Sequence, residues 1–329
     1  DGMTLPPPPP VLDPETPSAD HDAAVAAHEA AAQGRPTPAG PPVDLSSTAP
    51  KEAGALSAII GASFTLSVIL FWLVLQLFLF GAFSHERAQD AKYQQIRGEL
   101  AGATSPTGGV IEPGHPVALL SIPAINLQEV VSEGTASGDL LGGPGHRRDS
   151  PLPGQAGVSL VYGRSMTYGA PFDDITDLKK GDEIIATTSV GEATFVVDGV
   201  RRPGDPLPPP VEVGQARLVL ATGEGHGPLA WASPDQAVYV DATMKGKAFA
   251  APAGRLPAVP DAEKAMARDN SAWPLMALCL TALLLLVCVT TWAWNRFSRS
   301  MVWILAAPVG IALAWASTDT LMRLLPNLM

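Results

Sequence analysis

The chain has 329 residues, among them 33 prolines, 31 glycines and only two cysteines, and a formal net charge of −11. So acidic a balance argues against nucleic acid or anionic headgroups as main partners. Both cysteines, Cys279 and Cys288, sit in one apolar run, which leaves the rest of the chain without a disulfide or a thiol nucleophile.

Residues 1–52 hold a five-proline run at 6–10, an acidic excess and no aromatic residue. Such a segment buries too little apolar surface to offset its chain entropy, which predicts a disordered Pro-rich tail. It lacks the short basic start and compact apolar core of a signal peptide, so the apolar segment after it is expected to be retained. From 53 to 84 no side chain is charged, and "SVILFWLVLQLFLFGAF" predicts a first transmembrane helix. Residues 85–103 mix charges with strong helix formers and predict a helical stalk; 104–116 read as a linker.

The periodicity then changes. Between 117 and 242, "VALLSIP", "LQEVVSE", "GVSLVYG", "DEIIATTS", "ATFVVDGV", "ARLVLATG" and "QAVYVDA" form seven short apolar runs parted by Gly, Pro and Asp clusters, with no amphipathic helix between them. That pattern predicts an all-β barrel or sandwich of about 125 residues, enough for its own core. Residues 243–270 return to loop composition. Two further apolar spans, 271–295 and 300–322, predict second and third transmembrane helices, joined by a tight turn carrying Arg296 and Arg299. The positive-inside bias puts that turn and the N-terminus in the cytoplasm and the β domain outside a plasma membrane crossed three times. The stretches 53–84, 271–295 and 300–318 contain no charge, which argues against an ion pathway. Trp72, Trp273, Trp292, Trp294, Trp303 and Trp315 are expected as interface anchors, with small residues near Gly61 and Gly310 favouring helix association.

The order of "LLSIPAINLQEVVSEGT" (119–135), "GPGHRRDSPLPGQAGVSLVYGRSMTYGAPFDDITDLKKGDEI" (143–184) and "RLVLATG" (217–223) resembles that of sortases, the closed eight-stranded β-barrel transpeptidases of Gram-positive envelopes, most of all the class E-like enzymes of high-GC actinobacteria. The resemblance implies a Cys thiolate at one strand end, a His at another and an Arg on the last strand. Matched on these segments, those roles fall on Gly223, Arg164 and Gln236. Glycine has no side chain to attack with, and an arginine stays protonated far above neutral pH, so neither does the implied chemistry. The remaining groove candidates are Arg164, Tyr168 in the "TYGAPF" corner, His226, and Pro208 and Pro209 in the proline-rich connection "RRPGDPLPPP". Arg164 is expected to pair with an acidic neighbour such as Glu224 or Asp235. A Ser/His pair built on Ser165, His146 or His226 is the alternative source of hydrolytic chemistry, and His146, His226, Asp149 and Glu224 lack metal-ligand spacing. The resulting expectation is a membrane-anchored pseudoenzyme needing no cofactor or metal, whose extracytoplasmic barrel binds or scaffolds other envelope or membrane proteins, as a subunit of a larger complex. The alternative is an active sortase-like transpeptidase or hydrolase with a relocated active site.

Overall fold

The computed structural model describes residues 60, 63, 67–226, 234–294 and 296–329, so the Pro-rich segment 1–52 lies outside the described residues. Eight strands, β1 (Pro116–Ile122), β2 (Leu127–Glu133), β3 (Gly145–His146), β4 (Gly157–Tyr162), β5 (Glu183–Thr188), β6 (Gly191–Arg201), β7 (Ala216–Glu224) and β8 (Gln236–Met244), close into a barrel ordered β1-β2-β3-β4-β7-β8-β6-β5. Seven coincide with the apolar runs of the sequence. The eighth, β3, is two residues long and pairs parallel with β2 and antiparallel with β4; no periodicity announces a strand that short.

Along β6 the side chains alternate, with Ala193, Phe195 and Val197 turned inward. They meet Leu120, Ile122, Phe172, Ile184, Leu218, Leu220 and Val240, all fully buried in one apolar core. The parallel pairing of β4 with β7 sets Tyr162 opposite Ala221, and antiparallel β8 sets Ala237 opposite Gly223. The ends of these three adjacent strands therefore meet at one rim of the barrel.

Among the described residues, three helices are long and apolar enough to cross a membrane: α1 (Ser67–Ala101), α2 (Trp273–Trp294) and α3 (Arg299–Arg323). The second half of α1 is no free stalk, because it lies against the barrel. His85 Nε2 is 2.9 Å from Glu129 Oε1, and the Gln89 amide donates to Val130 O and Gly142 O while accepting from Val130 N. Lys92 donates to Gly142 O. The 243–270 segment has loop composition yet is pinned: Phe249 exchanges backbone hydrogen bonds with Gly154 and Ala156, Arg255 pairs with Glu133, and the buried carboxylate of Glu263 accepts from Arg148.

The uncharged stretch of α3 ends at Thr318, but the helix continues for five residues and brings in Asp319 and Arg323. A π-helical turn at Gln76–Phe80 in α1 turns the buried Gln76 amide toward Asp319 Oδ1, 3.3 Å away. Trp72 Nε1 donates to Thr318 Oγ1, and the Phe80 ring makes tilted contacts with the rings of Trp72 and Trp315. Trp72 and Trp315 thus pack α1 onto α3 rather than serving only as interface anchors. Cys279 is buried and Cys288 exposed on the helix surface, so only the first is a packing residue of the fold.

Candidate functional site

At the converging strand ends, Gly163 N donates to Ala221 O and carries the β4–β7 ladder one step past Tyr162, which sets Arg164 beside Thr222 and Gly223. Gln236 lies opposite Glu224 on β8. The three positions that the sortase resemblance assigns to chemistry are therefore neighbours.

Arg164 is fully buried and, among the described residues, no Asp or Glu side chain pairs with it. Nη2 donates to Ser137 O at 2.8 Å and to Ser137 Oγ at 2.9 Å; Nη1 donates to Thr167 Oγ1 at 3.0 Å and to Met329 O at 3.2 Å. The Tyr168 ring stands 5.7 Å from the guanidinium carbon. Burial pulls the Arg164 pKa down to about 10, and Tyr168 offsets part of that shift. The expected ion pair with Glu224 or Asp235 does not form, because both carboxylates are engaged at the outer rim. Glu224 binds Arg202 in a two-pronged pair and accepts from Gln236; Asp235 binds His226.

The space in front of these strand ends is filled by the segment that follows α3. Leu328 is fully buried against Leu140, Tyr162 and Ala221. Its carbonyl accepts from Ser165 N and from Ser165 Oγ, and the next carbonyl, of Met329, accepts from Thr167 Oγ1 as well as from Arg164. Asn327, also fully buried, donates its amide to Thr135 O and Lys264 O and its backbone N–H to Ala267 O. A Cβ on Gly223 would stand 2.7 Å from Leu328 O and 2.9 Å from Pro234 Cβ, so glycine is what lets this backbone approach. Sequence reasoning missed Ser137, Asn327 and Leu328. The apolar character of 323–329 after α3 marks a segment with surface to bury, but nothing in the sequence states where.

Tyr168 is positioned by strain: Tyr168, Gly169 and Ala170 have φ of +53°, +80° and +45° in succession. The turn sends the phenol to Asp319 Oδ1 of α3. Burial, reinforced by Asp319, pushes the Tyr168 phenol well above its ordinary range. Gly81 of α1 makes room, since a Cβ there would meet Gln76 O at 2.9 Å and the Tyr168 ring at 3.3 Å.

Of the other candidates, His226 stays on the exposed rim, with Nδ1 3.0 Å from Asp235 and Nε2 3.2 Å from the Gln236 amide nitrogen. Pro208 and Pro209 do not join Arg164. Pro209 O accepts from Arg217 Nη1 near the start of β7, about 20 Å along the strand from Gly223. Ser165 gives its hydroxyl proton to Leu328 O. His146 does approach a hydroxyl: Nε2 is 3.1 Å from Ser150 Oγ, and Nδ1 is 2.9 Å from Glu133 Oε2. The resemblance to a Ser-His-acid triad ends at the protons. Nε2 also faces Pro151 O at 2.9 Å, so both ring nitrogens face acceptors, while Ser150 donates to Arg147 O and accepts from Leu160 N. His146 is fully buried and Ser150 nearly so, and neither has a face open to a substrate. Among the described residues no group of three His, Cys, Asp or Glu side chains is arranged to hold a metal ion.

Comparison with solved structures finds the Clostridium perfringens sortase D5 transpeptidase at TM-score 0.40 and 20% identity, covering 50% of this chain and 99% of that one. Sortase E from Streptomyces avermitilis matches at TM-score 0.34 and 29% identity, covering 41% and 91%. Among curated proteins, sortase D of Bacillus subtilis is 35% identical over 86 residues, and sortase SrtE1 of Streptomyces coelicolor 30% identical over 148 residues. These stretches cover 26% and 42% of this chain, and the chain spans 42% of the length of each of those two relatives. The family model for the sortase domain matches residues 120–224, from β1 to the end of β7. The closed eight-stranded barrel, the family match over residues 120–224 and the likeness to sortase relatives agree that the β domain of this chain is a sortase-like domain.

Proposed function

We propose that this chain is a membrane-anchored sortase-fold module that has given up thiol transpeptidation and works by holding protein segments against its barrel, as a binding or scaffold subunit of a cell-envelope membrane complex. One observation carries the reading. Where the family's attacking side chain would stand there is Gly223, and the backbone of Leu328 occupies that space. Beside it, the buried guanidinium of Arg164 sits where a proton-transferring imidazole would be needed, and an arginine does not release its proton at neutral pH. The basic turn Arg296–Arg299 lies between α2 and α3, at the ends remote from the barrel, which supports an extracytoplasmic barrel by the positive-inside bias. Exposed Leu278, Leu284, Leu285 and Val287 on α2 suit lipid or partner helices.

The test is to incubate the full chain, purified in mild detergent, with a fluorogenic sorting-signal peptide and an amine acceptor. Neither cleavage nor transfer is expected. Turnover abolished by Arg164→Ala or His226→Ala would overturn the reading, and turnover abolished by Ser150→Ala would establish the relocated active site in its place. Isolation of the intact protein from membranes, with identification of proteins recovered in fixed ratio, tests the complex.

A further inference from the structure

Resting on the reading of the barrel as a segment-holding module, we propose that the site around Arg164 is a peptide-carbonyl-binding site for a Pro-Asn-Leu turn, closed by Met329 N donating to Pro326 O, and that residues 325–329 of this same chain are its resident, displaceable ligand.

The seat has the parts of a ligand site. Two successive carbonyls, Leu328 O and Met329 O, are met by four donors: Ser165 N, Ser165 Oγ, Thr167 Oγ1 and Arg164 Nη1. The Leu328 side chain fills an apolar pocket of Leu140, Tyr162 and Ala221. The Asn327 amide donates to two backbone carbonyls, Thr135 O and Lys264 O. These contacts come from the β2–β3 loop, the β4–β5 connection, the end of β7 and the strap after β8, so the pocket is built by the barrel and its strap. The occupant adds no strand or helix to that framework, since α3 ends at Arg323. Removing residues 325–329 would therefore leave a preformed pocket with a buried cation facing it. A charge in that position recruits carbonyl oxygens strongly, because a hydrogen bond to an ionised donor exceeds a neutral one. The partner that fits is a protein presenting a turn in which an apolar residue follows Asn, bound through its backbone carbonyls rather than through an acidic side chain.

The tethered copy outcompetes a free one, since a segment fixed a few residues from the barrel has an effective concentration in the millimolar range. The experiment uses the full chain and a chain ending at Leu324, both in detergent with Cys279→Ser and Cys288→Ser, and a fluorescein-labelled peptide of residues 323–329. The shortened chain is expected to bind the peptide saturably and at least ten-fold more tightly than the full chain, with binding lost when the peptide carries Leu328→Asp. In the same background Ser165→Cys reports the seat: its thiol should react with a maleimide at least ten-fold faster in the shortened chain. Should the shortened chain fail to fold by circular dichroism, Leu328→Asp in the full chain carries the thiol test. Equal peptide binding by both chains, or a thiol equally protected in a folded chain without the seated segment, would overturn the proposal. Cleavage of the peptide by the shortened chain would instead overturn the non-catalytic reading while leaving the resident ligand in place.

Discussion

Two buried charges in this barrel are handled in opposite ways, and the difference sets what each substitution costs. Arg164 keeps its charge and is solvated by backbone oxygens and hydroxyls, so removing it orphans no Asp or Glu side chain. Glu133, by contrast, is a fully buried carboxylate held by Arg255 on one oxygen and His146 on the other. Arg255→Leu is therefore expected to cost about 3–5 kcal/mol, because it strips one partner from a buried charge. Arg202→Leu, which breaks the exposed pair with Glu224, is expected to cost under about 1 kcal/mol. Thermal unfolding of both variants in detergent checks the contrast, and equal losses would refute it. The sequence located Arg164 at the site but not its partners. Ser137, Thr167 and Met329 are brought together by the barrel's closure and by the return of the chain after α3, and no local pattern records either event.

Among the elements, the strands were the most legible, because alternation of apolar and polar residues directly expresses a half-buried sheet. The helix boundaries were less so. Residues 85–101 have a helix former's composition, which made a stalk the natural expectation, yet their contacts to Glu129, Val130 and Gly142 lie on one polar face that hydropathy does not weight. Likewise α3 outruns its apolar stretch because Asp319 finds Gln76 and Tyr168 as partners, and Gln76 reaches it from the π-helical turn. This trio joins α1, α3 and the β4–β5 connection at one point. Tyr168→Phe should weaken the junction by about 1–3 kcal/mol, since it leaves a half-buried carboxylate oxygen short of a donor. Asp319→Asn, which keeps an acceptor and loses the charge, should cost less. Thermal unfolding ranks the two variants, and a larger loss for Asp319→Asn would mean that the charge itself, rather than the hydrogen bond, holds the junction.

For the whole molecule, the end of α1, the start of α2 and the end of α3 all meet the barrel or its strap: Glu99 of α1 contacts His115, Asp269 N just before α2 donates to Arg323 O, and the segment after α3 enters the strand-end site. The turn between α2 and α3 is then the part farthest from the barrel along the helices. At 25 residues α3 spans about 37 Å, longer than a bilayer's hydrocarbon core of about 30 Å, so turn and barrel end on opposite sides if the helices cross. Two basic residues flank that turn, Arg296 and Arg299, and the positive-inside bias motivates the proposal that the turn is cytoplasmic and the barrel faces outward. With Cys279 and Cys288 replaced by serine, single cysteines at exposed Lys180 of the barrel and exposed Ser298 of the turn separate the two sides. A membrane-impermeant maleimide added to wall-stripped cells should label Lys180→Cys at once and Ser298→Cys only after permeabilisation. The reverse order would place the barrel in the cytoplasm, where its partners would have to be sought among intracellular proteins, and labelling of both before permeabilisation would mean that α2 and α3 do not cross the membrane as a pair.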